Sequence, residues 1–508
     1  MNDHNTTRRR ILSTSAAAGL FSLAGCAGLV ALPEDDPPDP ITQEVTYEIP
    51  QYVGADGSPE YSDDGLRFID YSHIGHGIAI PTTAMRASEM GHPDYNARLW
   101  EEEMARLGDF WADFVEENLF DPFARELDGW TWPYLEETDD GLKRAGQVDD
   151  EEVHTSLEDL QHASYIYHMH HRGPRFEAHG LFRKITFAPT DYQTALGRFI
   201  LNELRDGGRF YHDTDHSEFD NLSMAYGLAA AHAHWYAWKR FGAPDGETDM
   251  WRVPRDELID FLGYNDEVLA DVALEIKEEA LDDAWDDSIG MYAFDGATYP
   301  IDAVGAVLRG LRALADSLHF YGGHEAEALE LGEHMARIID ELYTAGITQP
   351  WGLPSEIEFT SNGVQATSDT VDVRRTWEFV NHLSGGYGVT RDRLVDLLAD
   401  NQPEIFDQIG EITDELILGV MEYGLDDGEL VTELDYATGD IEDDRRSAAA
   451  IGIFLPAVMN AYGEGEAFQR TDGWGDVDAE VVENTRNLYD LVNDHLELIE
   501  DSFLIEAQ

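Results

Sequence analysis

The sequence predicts an all-α protein: a closed ring of helical hairpins whose short, β-hairpin-like connectors gather on one rim. Three observations carry that expectation. Beyond about residue 65 apolar residues recur at three- and four-residue spacings almost without interruption, the period of amphipathic helices. Strand-like alternation is confined to short pieces between those segments. One order of elements also returns about every 70 to 80 residues: a helix, a connector of Gly, aromatics and acids, then a small-residue helix.

In chain order, the first element is an address rather than part of the ring. "TRRRILSTSAAAGLFSLAGC" runs from Thr7 to Cys26, with Arg8, Arg9 and Arg10 ahead of a short apolar stretch and Leu23-Ala24-Gly25 ahead of the cysteine. It resembles a twin-arginine export signal ending in a lipobox. That resemblance implies lipidation at Cys26 and a mature protein outside the cytoplasm, anchored to the cell membrane by an N-terminal lipid. Cys26 is the single cysteine of the chain, which excludes an internal disulfide and a cysteine nucleophile in the folded part. Residues 1–26 are thus the expected signal. "ALPEDDPPDP" (31–40) belongs to an acidic, Pro-rich stalk and N-terminal extension over 27–64, and residues 65–508 form one domain.

Composition bounds the partners. The 508 residues carry 103 acids against 33 Lys and Arg, a formal charge of −70, yet 43% are hydrophobic and 11% aromatic, enough for a large core. Only Lys143, Lys184, Lys239 and Lys277 are lysines. An acidic, lysine-poor, core-rich chain resembles the proteins of extreme halophiles, whose self-repulsion molar salt screens over about 3 Å. No basic stripe follows the N-terminus, which excludes nucleic acid as a partner.

The helical segments follow at 95–119, 152–171, 189–205, 219–241, 265–283, 299–320, 325–345, 370–384, 402–423, 441–462 and 478–501. The repeat is plainest in "EALDDAWDDSIGMYAFDGATYPIDAVGAVLRGLRAL" (279–314), and 341–383 and 420–462 run through the same order. "GGRFYHDTDHSEFDN" (207–221) and "DGWTWPYLEETDD" (128–140) are the connectors of two further copies. The helix beginning near "HIGHGIAIPTTAMRASEMG" (73–91) and the last helix are left over. If these two pair, they complete a sixth unit and close the ring; if not, the array is an open solenoid. Apolar faces on both terminal helices favour closure. The count resembles the (α/α)6 toroid shared by six-hairpin glycosidases, polysaccharide lyases and sugar epimerases, and the resemblance implies a carbohydrate-active enzyme.

Helices after the connectors, such as "SMAYGLAAAHAHW", "IDAVGAVLRGL" and "RRSAAAIGIF", are rich in small residues and suit an inner ring. Those before them are charge-striped and suit an outer one. Every long connector then lies above the N-termini of the inner helices, at the mouth of a central cavity.

The mouth supplies the candidates. Trp130, Trp132, Tyr134, Tyr211, Tyr299 and Trp351 offer aromatic faces for sugar rings, or plug the barrel end. Glu356 and Glu358 alternate in "SEIEF", and Glu433 and Asp435 repeat that spacing. Asp213 and Asp215 lie between His212 and His216. Glycosidic hydrolysis needs one protonated and one ionised carboxyl, which two connectors could supply. In "DYSHIGHGI", His73 and His76 open an inner helix with Asp70 and Ser72 as candidate caps; the pattern resembles one of lyase-like toroid proteins, in which a neutral His abstracts a proton. Arg374-Arg375 and Arg445-Arg446 occupy matching places at the starts of two inner helices, against the helix dipole. Nearby acids or an anionic ligand group could compensate them. No HExxH or compact metal-ligand spacing is present, so neither a metal nor a cofactor is expected, His212 and His216 coming nearest to one. The expectation is a monomeric carbohydrate-active enzyme that cleaves an oligo- or polysaccharide, acidic glycans included, by hydrolysis or elimination. The alternative is a non-catalytic glycan-binding or surface-layer lipoprotein using the same groove.

Overall fold

The computed structural model describes residues 45–83, 110, 111, 113–124, 131–138, 141–145, 157, 158, 160, 196, 197, 199–230, 266–319, 323–384, 402, 404–468 and 477–507. Residues 1–26 with Cys26, and Trp130, lie outside them. The described residues build an α/α toroid. Its helices are α1 (Phe68–Thr83), α2 (221–230), α3 (Asp266–Ile276), α4 (Ile301–Ser317), α5 (Glu325–Ala345), α6 (Val373–Ser384), α7 (Glu404–Val420), α8 (Ala448–Ala461) and α9 (Ala479–Leu498).

Burial separates two rings. Every residue of α4 and of α8 is buried, and α6 is buried except at Arg374 and Arg375, the all-round burial of inner helices. In α5 only one stripe is buried, through Ala328, Leu331, Met335, Ile338, Ile339 and Leu342. The inner helices α4, α6, α8 and α1 pack in that order. Glycine makes the close approaches possible: a Cβ at Gly452 of α8 would overlap the carbonyl group of His73 in α1.

The connectors are stitched around one rim. The strands leading into α1, α4, α6 and α8 each pair antiparallel with another connector. Thus Thr298–Pro300 pairs with Glu356–Thr360, Thr370–Asp372 with Glu433–Asp435, and Leu66–Arg67 with Tyr134–Thr138. These strands also move helix starts: the helices expected from 299, 370 and 441 begin at Ile301, Val373 and Ala448, because the residues ahead of each pair with a neighbouring connector.

The sixth unit is divided between the two ends of the chain. Tyr47–Glu48 pairs with Ile505–Glu506, and Tyr52–Val53 pairs with Arg446–Ser447 ahead of α8. Ile499, in the π-helical turn that continues α9, lies against Gly77 of α1. Residues 45–64, expected as an extension, thus serve as the connector of this unit, with Val45, Ile49 and Val53 in the core. The ring is closed, and the open solenoid is excluded.

Candidate active site

Side chains from four inner helical segments meet near the N-terminal ends of those helices. Asp302 is the second residue of α4 and fully buried. Tyr226 comes from α2, Arg374 and Arg375 from the first turn of α6, Glu378 one turn further, and Glu158 from the helical residues 157 and 158. Arg374 Nη1 donates to Glu158 Oε1 at 2.7 Å and to Glu378 Oε2 at 3.0 Å, and its Nη2 lies 3.5 Å from Asp302 Oδ2. The Tyr226 hydroxyl donates to the same Asp302 Oδ2 at 3.0 Å. Below this group, Arg309 Nη1 donates to His382 Nδ1 at 3.2 Å, which leaves His382 Nε2 as the protonated nitrogen, 3.4 Å from Glu378 Oε1.

Burial and charge divide the carboxyls into different states. Burial pushes the Asp302 carboxyl up to about 7; Arg374 pulls it down and the Glu158 charge pushes it up, so the net balance favours the acid form. Arg374 is mostly withdrawn from solvent, which disfavours its charge, but Glu158, Asp302 and Glu378 outweigh that and hold it well above its ordinary range. Burial, then Asp302, raise Tyr226 far above an ordinary phenol, so it stays a donor. Glu158 is 28% exposed, the most accessible carboxylate of the three. A buried carboxyl biased toward its acid form therefore sits beside a carboxylate held by a guanidinium. The carboxylate oxygens of Glu158, Asp302 and Glu378 converge to within 4.8 Å of one another. Arg374 already serves as their shared cation.

The residues singled out from sequence are distributed differently. Of these, Arg374 and Arg375 stand in the cluster. Arg445 and Arg446 precede α8 instead of opening it. Arg445 holds Asp443 through Nε and Nη2 and reaches Glu60, lying 4.0 Å over the Tyr52 ring. Arg446 is buried against Glu429, Asp426 and the Asp444 carbonyl. His212 Nε2 lies 3.0 Å from Asp220 Oδ1, Asp213 accepts from Ser217 and Glu218, and His216 Nε2 lies 3.1 Å from the Glu203 carbonyl. These contacts close the connector on itself, whereas Arg374 reaches Glu158 and Asp302 on other inner segments.

Glu356 and Glu358 do face one side of their strand, opposite the buried Ile357 and Phe359, and accept from Thr367 and Gln365. Asp435 accepts twice from Thr438 in a turn. His73 and His76 are buried inside α1, which starts at Phe68. Asp70 and Ser72 therefore lie within the helix and not at its cap; the Ser72 hydroxyl donates to the Ile69 carbonyl. Tyr299 is fully buried and donates to the Tyr292 carbonyl; Trp132 is buried. Tyr134, Tyr211 and Trp351 are half-buried, Tyr211 against His216 and Phe219, Trp351 donating to the Tyr436 carbonyl.

Sequence reading missed Glu158, Tyr226, Asp302 and Glu378, because it looked for acids on connectors. The available signal was a lone acid opening an otherwise small and apolar inner helix, "IDAVGAVLRGL". The i, i+4, i+8 series Arg374, Glu378, His382, one stripe of α6, was another.

No family model matches the sequence, and no curated protein matches it. Among solved structures the chain is similar to the α-1,2-mannosidase of Trichoderma reesei, at 9% identity and a TM-score of 0.44, over 80% of this chain and 78% of that one. It is similar to a possible member of the GH105 family from Klebsiella pneumoniae, at 10% identity and a TM-score of 0.40, over 81% and 88%. A family 105 glycoside hydrolase from C. acetobutylicum gives 13% identity and a TM-score of 0.41, over 78% and 94%.

Proposed function

We propose that this protein is a carbohydrate-active enzyme that hydrolyses a glycosidic bond at the mouth of its helical ring. The observation that carries the reading is Asp302: a fully buried carboxyl raised to about 7, with the partly exposed Glu158 carboxyl held beside it by Arg374. Glycoside hydrolysis needs that division, one carboxyl that gives a proton to the leaving oxygen and one that attacks the anomeric carbon or activates water. Asp302 is the acid. Glu158 is the partner, with Oε1 fixed on Arg374 and the carboxylate partly open to solvent. Arg374 holds Glu158 in place. Half-buried aromatics on the rim, Tyr211 and Trp351 among them, offer apolar faces to sugar rings.

Within this proposal the N-terminal signal delivers the enzyme, lipid-anchored at Cys26, to the outer face of the membrane, and the acidic surface suits molar salt. The test is to incubate the protein in molar salt with neutral and acidic glycans. New reducing ends without unsaturated uronate absorbance support hydrolysis. Uronate absorbance means elimination, and binding without any cleavage returns the protein to the glycan-binding class.

A further inference from the structure

Asp302 and Arg375 face each other across a gap that neither closes. Arg375 Nη1 stands 3.9 Å from Asp302 Oδ1, beyond hydrogen-bond reach. Its Nε lies 3.6 Å from Asp372 Oδ2, also too far, and only its backbone N–H is bonded, to Asp372 Oδ1. Among the described residues its guanidinium thus donates no hydrogen bond, although its side chain is 32% exposed at the mouth. Asp302 Oδ1 likewise accepts none, although it is fully buried. Arg374, Arg445 and Arg446 all donate to carboxylates. Arg375 keeps its planar fork of donors in reserve.

The location of the acid proton decides what belongs in the gap. Asp302 Oδ2 accepts from the Tyr226 hydroxyl and faces Arg374, so a proton there would oppose both. Oδ1 is met by no hydrogen-bond donor, so it is the oxygen left to carry the proton of the acid form. Oδ1–H and Arg375 Nη1–H are then two donors facing one space. An oxygen about 2.8 Å from each, set to one side of the 3.9 Å line joining them, would have to accept from both. A glycosidic oxygen, with two lone pairs and no hydrogen, meets that requirement.

We propose that Arg375 is a second catalytic group, its guanidinium donating to the same glycosidic oxygen that Asp302 protonates; this rests on the glycosidase reading above. As the bond from the anomeric carbon to that oxygen breaks, its electron pair stays on the oxygen, which takes the proton from Oδ1. Asp302 becomes a carboxylate beside Arg375, which keeps its own protons. The anomeric carbon is closed by water giving its proton to Glu158, or by Glu158 and then water. The sum is the addition of one water.

The test is leaving-group dependence. Wild type, Arg375→Gln and Arg375→Lys are assayed on the 2,4-dinitrophenyl and methyl glycosides of a sugar that the wild type cleaves. Dinitrophenolate departs without a proton, whereas methoxide does not. Arg375→Gln should lose at least about 10-fold more kcat/KM on the methyl glycoside than on the dinitrophenyl one. Arg375→Lys should recover part of that difference. The alkaline limb of the methyl-glycoside profile should also move to higher pH in Arg375→Gln, because a positive charge beside Asp302 is gone. Equal losses on both substrates with an unmoved limb overturn the role of Arg375 alone, provided wild-type cleavage is lost in Asp302→Asn. Wild-type protein that cleaves neither glycoside and no glycan overturns the glycosidase reading, and this inference with it.

Discussion

The Tyr226 hydroxyl donates to Asp302 Oδ2 at 3.0 Å, which joins α2 to α4 inside the ring and assigns one oxygen of the buried acid to a fixed donor. A hydrogen bond to a carboxylate favours its ionised form, so Tyr226 holds Asp302 lower than burial alone would. Tyr226→Phe should therefore shift the alkaline limb of activity upward from about 7, the level to which Asp302 is raised. Activity should fall above that limb in the wild type, because the acid has lost its proton. A pH–kcat/KM profile of both proteins checks this.

The same carboxyl makes stability depend on pH. Its ordinary value is 3.8, and the fold raises it to about 7, so between these limits the folded state holds a proton that the unfolded state releases. The stabilisation from that proton is complete below 3.8 and is lost as pH rises through about 7. Asp302→Asn carries no such proton. Its melting temperature relative to wild type should increase from pH 4 to pH 8, as read by thermal unfolding at fixed salt. A constant difference would mean that Asp302 is not shifted.

Arg374 joins three inner segments by its contacts with Glu158, Asp302 and Glu378. Arg374→Met removes the cation and leaves those carboxyls facing one another. Breaking a buried pair in this way costs about 3–5 kcal/mol. Denaturant unfolding should show that loss at pH 8, and less of it at pH 5, where protonation relieves the repulsion. An Arg445→Met variant, whose ion pairs are more exposed, should lose about 1 kcal/mol or less.

Ring closure depends on the approach of α8 to α1. Gly452→Val would push a branched side chain into the carbonyl group of His73, a backbone that cannot swing aside. Overpacking of this kind costs about 1–3 kcal/mol or more. Thermal unfolding should show a lowered midpoint, whereas Gly363→Val tests only backbone strain at a positive φ in open space.

The fold was legible because each repeat writes the same two periods, small residues on the inner helix and charge on the outer one. Closure was legible from the apolar faces of the terminal helices. The role of residues 45–64 was not, because only pairing with 446–447 and 505–506 makes a strand of so short a segment. In the site, Arg374 and Arg375 stood out as cations against a helix dipole in a chain poor in cations. Asp302 and Glu158 did not, since among 103 acids only burial separates them from solvated surface. Burial across a ring is set by neighbours up to 216 residues away, the separation of Arg374 from Glu158. His212 stands among acidic neighbours, but one of those, Asp220, is its hydrogen-bond partner within the same connector.

If Asp302 gives the proton that breaks a glycosidic bond, Asp302→Asn removes it and little else. Asparagine keeps the shape of the side chain and can still accept from Tyr226, but has no proton to give. Release of reducing ends from a cleaved glycan, measured in molar salt at pH 6 for wild type and variant of equal melting behaviour, should drop about 10²–10⁴-fold in kcat/KM. A variant that cleaves at the wild-type rate would contradict the account.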